Sequence, residues 1–161
     1  MTLPIVDENS IEALDLPGRR LRWLMTQENV DARHCSMCMI LVAPGETVRP
    51  AHSHPNGEEI IYIVHGSGKV MIEGLVEPVK EGSAVLFPQG KVHMLRNTGP
   101  EEMKVVCFFA PATNLDNYKF FDDVEFPEKG RPLSDRAGML CRMRKTSHAG
   151  VTGPSNKRSD R

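Results

Sequence analysis

No apolar run in this chain approaches the roughly 20 residues that a helix needs to cross a bilayer. Net charge is scarce too. Twenty Lys and Arg stand against 21 Asp and Glu, so the molecule as a whole has no strong field to draw nucleic acid or an anionic membrane. The opening residues, MTLPIVDENS, are acidic and polar and lack the basic and apolar segments of a secretion signal. Only four cysteines occur, Cys35, Cys38, Cys107 and Cys141, and without an export signal they are expected as reduced thiols. The expectation is a cytoplasmic protein with neither a membrane nor a nucleic-acid partner. Long helical periodicities and internal repeats are missing as well.

What is present is a succession of short apolar runs. RLRWLM (20–25), HCSMCMILV (34–42), EEIIYIV (58–64), GKVMIE (68–73), VEPV (76–79), SAVLF (83–87), KVHMLRN (91–97) and MKVVCFFA (103–110) are predicted strands. Turn chemistry bounds each of them: APGE, HPNG, GSG, EGS, PQG, NTGPEE and APATN. Strands at this spacing, with no helical run between them, predict an all-β sandwich or barrel. The length, 161 residues, suits one domain with some excess. Residues 1–19 are expected to form an N-terminal arm and 20–126 the β-barrel. Residues 127–161 are expected to be a basic tail with a short helix near Ser134 or Asp135 and a disordered end. From 129 onward nine Lys and Arg face only Asp135 and Asp160, which leaves the rest of the chain acidic. Without interleaved aromatics the tail is read as a solvated extension.

The stretch AHSHPNGEEIIYIVHG, residues 51–66, carries the chemistry. Residues two apart on a strand share a face, so His52 and His54 point the same way. Across the HPNG turn, Glu59, Ile61 and Ile63 share one face, while Glu58, Ile60, Tyr62 and Val64 share the other. Two inward imidazoles and an inward carboxylate suit a divalent metal; buried without one, they would leave polar atoms unpaired at a cost. A second stretch, GSAVLFPQGKVHMLRN, residues 82–97, turns tightly at Pro88 and Gly90 into a strand carrying His93, the expected fourth ligand. Glu58, on the opposite face from Ile61, is the less suitable carboxylate. His65 lies six residues beyond Glu59, roughly 20 Å along a strand, too far to coordinate. Cys35 and Cys38 face opposite ways on a strand, which argues against a redox or zinc pair, and Cys107 is read as a core thiol.

These two stretches resemble the paired motifs of the cupin superfamily. Gly45, His52, His54, Glu59 and Gly66 match the first, with one residue more than usual between Gly45 and His52. Gly82, Pro88, Gly90, His93 and Asn97 match the second without a gap, and the likeness extends over residues 34–110. It implies a jelly-roll barrel, also called a double-stranded β-helix. It also implies a site of His52, His54, Glu59 and His93 with one or two coordination positions open. Iron(II) or manganese(II) is the expected occupant, with zinc, nickel and cobalt as alternatives. A homodimer is implied as well, with the strand around Trp23 available for pairing and Tyr62 and its neighbours packed on another surface. Met39, Leu95 and Phe109 are expected to wall the cavity.

A fold of this kind hosts many activities and does not select one. The first expectation is a metal-dependent enzyme acting on a small oxygen-rich molecule: a dioxygenase, lyase, isomerase or decarboxylase. The alternative is a non-catalytic module that binds a carboxylate or sugar. A general acid or base beside the metal would separate the two. Glu73, Arg96 and Arg22 are the charged residues on or near strands, but none can be placed there from sequence. No helix-turn-helix pattern supports a regulator.

Overall fold

The computed structural model describes residues 3–127. The basic tail and its expected helix, apart from Pro127, lie outside the described residues. Eleven strands form within them: β1 (Leu14–Leu16), β2 (Arg19–Met25), β3 (Ser36–Val42), β4 (Ala51–Ser53), β5 (Glu58–His65), β6 (Ser67–Ile72), β7 (Leu75–Lys80), β8 (Ala84–Phe87), β9 (His93–Asn97), β10 (Met103–Ala110) and β11 (Lys119–Phe121). One helical turn, α1 (Gln27–Val30), follows β2, capped by Thr26, whose side chain accepts from the Asn29 N–H. Among the described residues no helix is long and apolar enough to cross a membrane.

The strands make two antiparallel sheets, ordered β1-β2-β3-β10-β5-β8 and β11-β4-β9-β6-β7. Each predicted strand is present, with ends shifted by one or two residues. Beyond them, β1 forms inside the segment expected as an arm and pairs with β2, β4 forms at the HxH stretch and pairs with β9, and β11 forms beyond the last predicted strand and pairs with β4. Pro78 is accommodated because β7 is an edge strand, where a missing N–H costs no ladder bond.

Alternation places the core. Along β5, Glu59, Ile61 and Ile63 are buried, while Glu58, Ile60, Tyr62 and Val64 are exposed. Ile61 and Ile63 join Cys38, Ile40, Val42, Val105, Cys107 and Phe109 from the same sheet, and these pack on Val70, Val79 and Leu95 from the other. Burial of such side chains contributes about 1.5–3 kcal/mol each. Met71 and Met94, opposed in register on the reverse face of the five-stranded sheet, pack with Ala51 and Phe126 in a second cluster. On the reverse face of the six-stranded sheet the N-terminal segment is tied down by two contacts. Arg22 Nε donates to the Ile11 carbonyl (3.0 Å), and Lys104 Nζ donates to Glu8 (2.6 Å).

Asn97 closes the end of the barrel away from the histidines. Fully buried, its amide donates to the carbonyls of Val42 (2.8 Å) and Glu101 (2.7 Å), and its oxygen accepts from the Gly99 N–H (2.9 Å). One side chain therefore bridges three backbone groups, sharing the Gly99 N–H with the Ser67 carbonyl (3.0 Å). Asn97→Ala is expected to cost about 3 kcal/mol, the scale of stranding buried polar groups. Urea denaturation checks this, and a loss under about 1 kcal/mol would mean that water replaces the amide.

Candidate metal centre

Two turns build the site. The PQG stretch closes with the Lys91 N–H donating to the Pro88 carbonyl (3.1 Å), with Gly90 at φ +72°. That left-handed position is where a type II turn requires glycine. The turn grips the other motif: the Gly90 N–H donates to the His54 carbonyl (2.9 Å), and Gln89 Nε2 donates to the Pro55 carbonyl (2.7 Å). Each histidine-bearing segment thus holds the other in place. On β4 and β9, His52 and His93 are directly opposed. Glu59, second residue of β5, lies between Phe109 on β10 and Phe87 on β8.

The four expected ligands converge. One donor atom from each of His52, His54, Glu59 and His93 lies within 4.8 Å of every other, and all four residues are buried. Glu58, by contrast, is exposed. His52 Nδ1 donates to the Pro50 carbonyl (3.1 Å) and His93 Nδ1 to the Lys91 carbonyl (2.9 Å). A carbonyl only accepts, so both rings carry their proton on Nδ1 and turn a bare Nε2 inward. The His93 ring also stacks on Phe87 with centroids 4.0 Å apart.

The centre is short of positive charge. Glu59 Oε2 stands 2.8 Å from His54 Nε2 and 3.1 Å from His93 Nε2. A neutral His93 has already donated its one proton to Lys91 and has none left for Glu59. With Nε2 turned to Glu59, the buried Nδ1 of His54 has no hydrogen-bond partner. A cation among the three imidazoles and the carboxylate resolves the clash of lone pairs, so the donor set fits a divalent transition metal.

Electrostatics agree with that geometry. Burial would push the Glu59 carboxyl up, but the hydrogen bond from His54 and the imidazoles packed around it outweigh that and hold the group below the usual carboxylate range. Burial, then the charge of His93, lowers His52 to about 3. The Cys107 thiol is pushed up by its hydrogen bond with Cys38, by burial and by the nearby Glu59 charge, so it stays protonated.

A cavity of about 30 Å³ adjoins the cluster, lined by Leu95, Ile40, Val48, Ile61, Phe87 and Cys107 besides His52, Glu59 and His93. A wider opening of about 120 Å³ borders His54, with Phe109, Asn56, Thr113 and Asn117 on its walls. Leu95 and Phe109 therefore line the two spaces. Met39 does not. It lies on the reverse face of β3, opposed to Arg22 and Val106, while its neighbours Cys38 and Ile40 face the core. The run SMCMILV is apolar on both faces, so sequence alternation carried no signal of which way Met39 points.

The three charged candidates serve elsewhere. Arg22 is tied to Ile11, Glu73 accepts from the Val92 N–H (2.8 Å), and Arg96 lies 6.0 Å from the ring centroid of Phe126. Two residues that sequence reasoning missed lie close instead. Tyr118 stacks on His52 (5.1 Å, 15°) and meets His54 edge-on (4.3 Å, 87°). Arg19, 7% exposed, donates from Nη1 to the Arg49 carbonyl (3.1 Å), and its charge reaches both His52 and Tyr118.

A two-sheet β-barrel with a three-histidine, one-carboxylate cluster between its sheets defines a class, and the comparisons agree. The cupin-domain family profile matches residues 38–109. The chain is 31% identical to polyketide synthase CurC of Streptomyces cyaneus over 84% of its own length and 95% of that protein. It is 30% identical to tetracenomycin polyketide synthase protein TcmJ of Streptomyces glaucescens, over 58% of its length and 62% of that protein. The solved polyketide cyclase RemF from Streptomyces resistomycificus aligns with a TM-score of 0.57 at 19% identity, covering 72% of this chain and 89% of that one. The chain belongs to the cupin family.

Acid is expected to destabilise the metal-free protein. His52 takes up a proton near pH 6.5 when unfolded but only near 3 when folded, so the unfolded state binds more protons in that window and stability falls with pH. Glu59, held low in the fold, adds a loss in the same direction below its ordinary value of 4.5. Urea midpoints of metal-free protein at pH 7, 6 and 5 are expected to decline, by up to about 1.4 kcal/mol per pH unit from one group. A flat profile would show that His52 protonates freely in the fold.

Proposed function

We propose that the protein is a metal-dependent enzyme of polyketide assembly, acting on a chain that carries 1,3-dicarbonyl units. The observation that carries the reading is the buried Glu59 carboxylate, faced by three imidazoles with too few protons to satisfy it. The likeness to CurC and TcmJ supports the substrate class, since 1,3-dicarbonyl units are the chemistry of a polyketide chain. His52, His54, Glu59 and His93 would hold one divalent ion, with iron or manganese favoured over zinc, nickel or cobalt. Such an ion supplies Lewis acidity toward a carbonyl oxygen and so eases loss of the proton between two ketones.

The chain's own residues do the rest. Carbonyls of Pro50 and Lys91 fix the orientation of His52 and His93. Ile40, Val48, Ile61, Phe87 and Leu95 form an apolar wall that excludes water from the reacting carbon and strengthens each polar contact inside. At the opening, the side-chain amides of Asn56 and Asn117 offer hydrogen-bond donors to the carbonyls of a longer chain, and Phe109 offers an apolar face.

The test is metal content per chain, on protein purified without chelator, beside His52→Ala/His54→Ala. About one equivalent is expected in the wild type and less than a tenth of that in the variant, since two of four ligands are gone. Wild-type protein that takes up no metal even on reconstitution would falsify the reading.

We also propose that a second copy of the chain covers the reverse face of the six-stranded sheet. Ile60, Tyr62, Val64, Leu86 and Phe108 are each 39–49% exposed there, and register sets Phe108, Ile60 and Leu86 in one row across three strands. A contiguous apolar sheet face of this kind marks an interaction site. Light scattering is expected to give twice the chain mass for the wild type and one chain mass for Tyr62→Glu. A monomeric wild type would remove the proposal.

A further inference from the structure

Tyr118 occupies a place that the ligand cluster does not explain. The segment that delivers it is tied down at several points. Ser36 Oγ donates to the Thr113 carbonyl and accepts from the Thr113 N–H, both at 3.0 Å. Asn114 caps a 3-10 turn over Leu115–Asn117, accepting from the Asp116 N–H at 3.2 Å. Then β11 pairs with β4, setting Phe120 opposite His52. The result is an aromatic ring laid flat on one candidate ligand and edge-on to another, with Phe109 on a third side (6.2 Å).

The ring is half-buried and packs against the hydrophobic core that Cys38, Cys107 and Phe109 help to form. Among the described residues its hydroxyl has no hydrogen-bond partner. Three donors nearby are committed. The Nδ1 protons of His52 and His93 go to backbone carbonyls, and Nη1 of Arg19 goes to Arg49. Tyr118 therefore carries an uncommitted donor beside His52 and His54.

We propose that Tyr118 touches the substrate, its hydroxyl donating a hydrogen bond to an oxygen of an enolised 1,3-dicarbonyl group bound beside His52 and His54. This rests on the substrate class proposed above and adds the residue that recognises it. An enolate oxygen is the acceptor such a phenol suits best, because the acceptor carries charge. A neutral sugar hydroxyl supplies no such charge.

The experiment uses acetylacetone, a minimal 1,3-dicarbonyl, as the probe. Its affinity is measured by calorimetry on wild type and Tyr118→Phe, each metal-loaded and metal-free, with metal content determined on the same samples. Tyr118→Phe keeps the stacked ring, so unchanged metal content and unchanged thermal stability are expected, with affinity about tenfold weaker. Equal affinity in the two proteins overturns the proposal and leaves the metal reading intact. A wild type without metal that still binds the probe more tightly than the variant sinks the metal reading and keeps the Tyr118 contact. No binding to either protein overturns the contact. A second measurement does not depend on how well the variant folds. The chain has two tyrosines, so in zinc-loaded Tyr62→Phe carrying ring-13C tyrosine the one tyrosine ring resonance belongs to Tyr118, and the probe is expected to shift it. A resonance that the probe leaves unmoved also overturns the proposal.

Discussion

A carboxylate buried among three imidazoles sets the terms for the rest of this barrel. Moving an ion of that size out of water costs several kcal/mol even after relaxation, and only compensating charge or full hydrogen bonding offsets it. Glu59 receives contacts at 2.8 and 3.1 Å from two histidines, yet one of those histidines has spent its proton on a backbone carbonyl. The interior is therefore arranged for a cation, and the surrounding apolar side chains raise the cost of leaving it without one.

That requirement explains how the backbone is organised. The turn after β8 and the turn after β4 hydrogen-bond to each other through Gly90, His54, Gln89 and Pro55. The two segments that supply histidines thus form one rigid unit, although about forty residues of chain separate them. Direct opposition of His52 and His93 adds a second constraint, and the Phe87 ring fixes the plane of His93. At the far end Asn97 performs a matching task for the backbone, tying β3 and the 97–101 turn to β9. Rigid support on strands is what holds donor atoms within a few ångströms of one another before any ligand arrives.

The segment that follows β10 makes the barrel more than a ligand set. It crosses the open end, lines the opening beside His54 with Thr113 and Asn117, and brings Tyr118 onto the histidine rings. The wall of the cavity is thus built from two levels of structure: strand residues such as Leu95 and Ile61 by alternation, and loop residues by the path of the chain.

Much of this was readable from residue order alone, because it depends on local rules. The period of two along β5 separated Glu59 from Glu58, the HxH spacing set His52 and His54 on one face, and the PxG turn placed His93. Eight strands followed from apolar runs bounded by turn residues. What sequence could not supply was any relation between segments without a local signal. Met39 was misplaced because its strand is apolar on both faces, one covered by the second sheet and the other lying on the side to which the N-terminal segment is tied. Arg19 and Tyr118 were not singled out, because their surroundings come from strands distant in sequence. The chain by itself determined which atoms meet at the centre, since spacing and pleat are short-range. Only the tertiary structure decided what stands beside them, since β11 reaches β4 through long-range pairing.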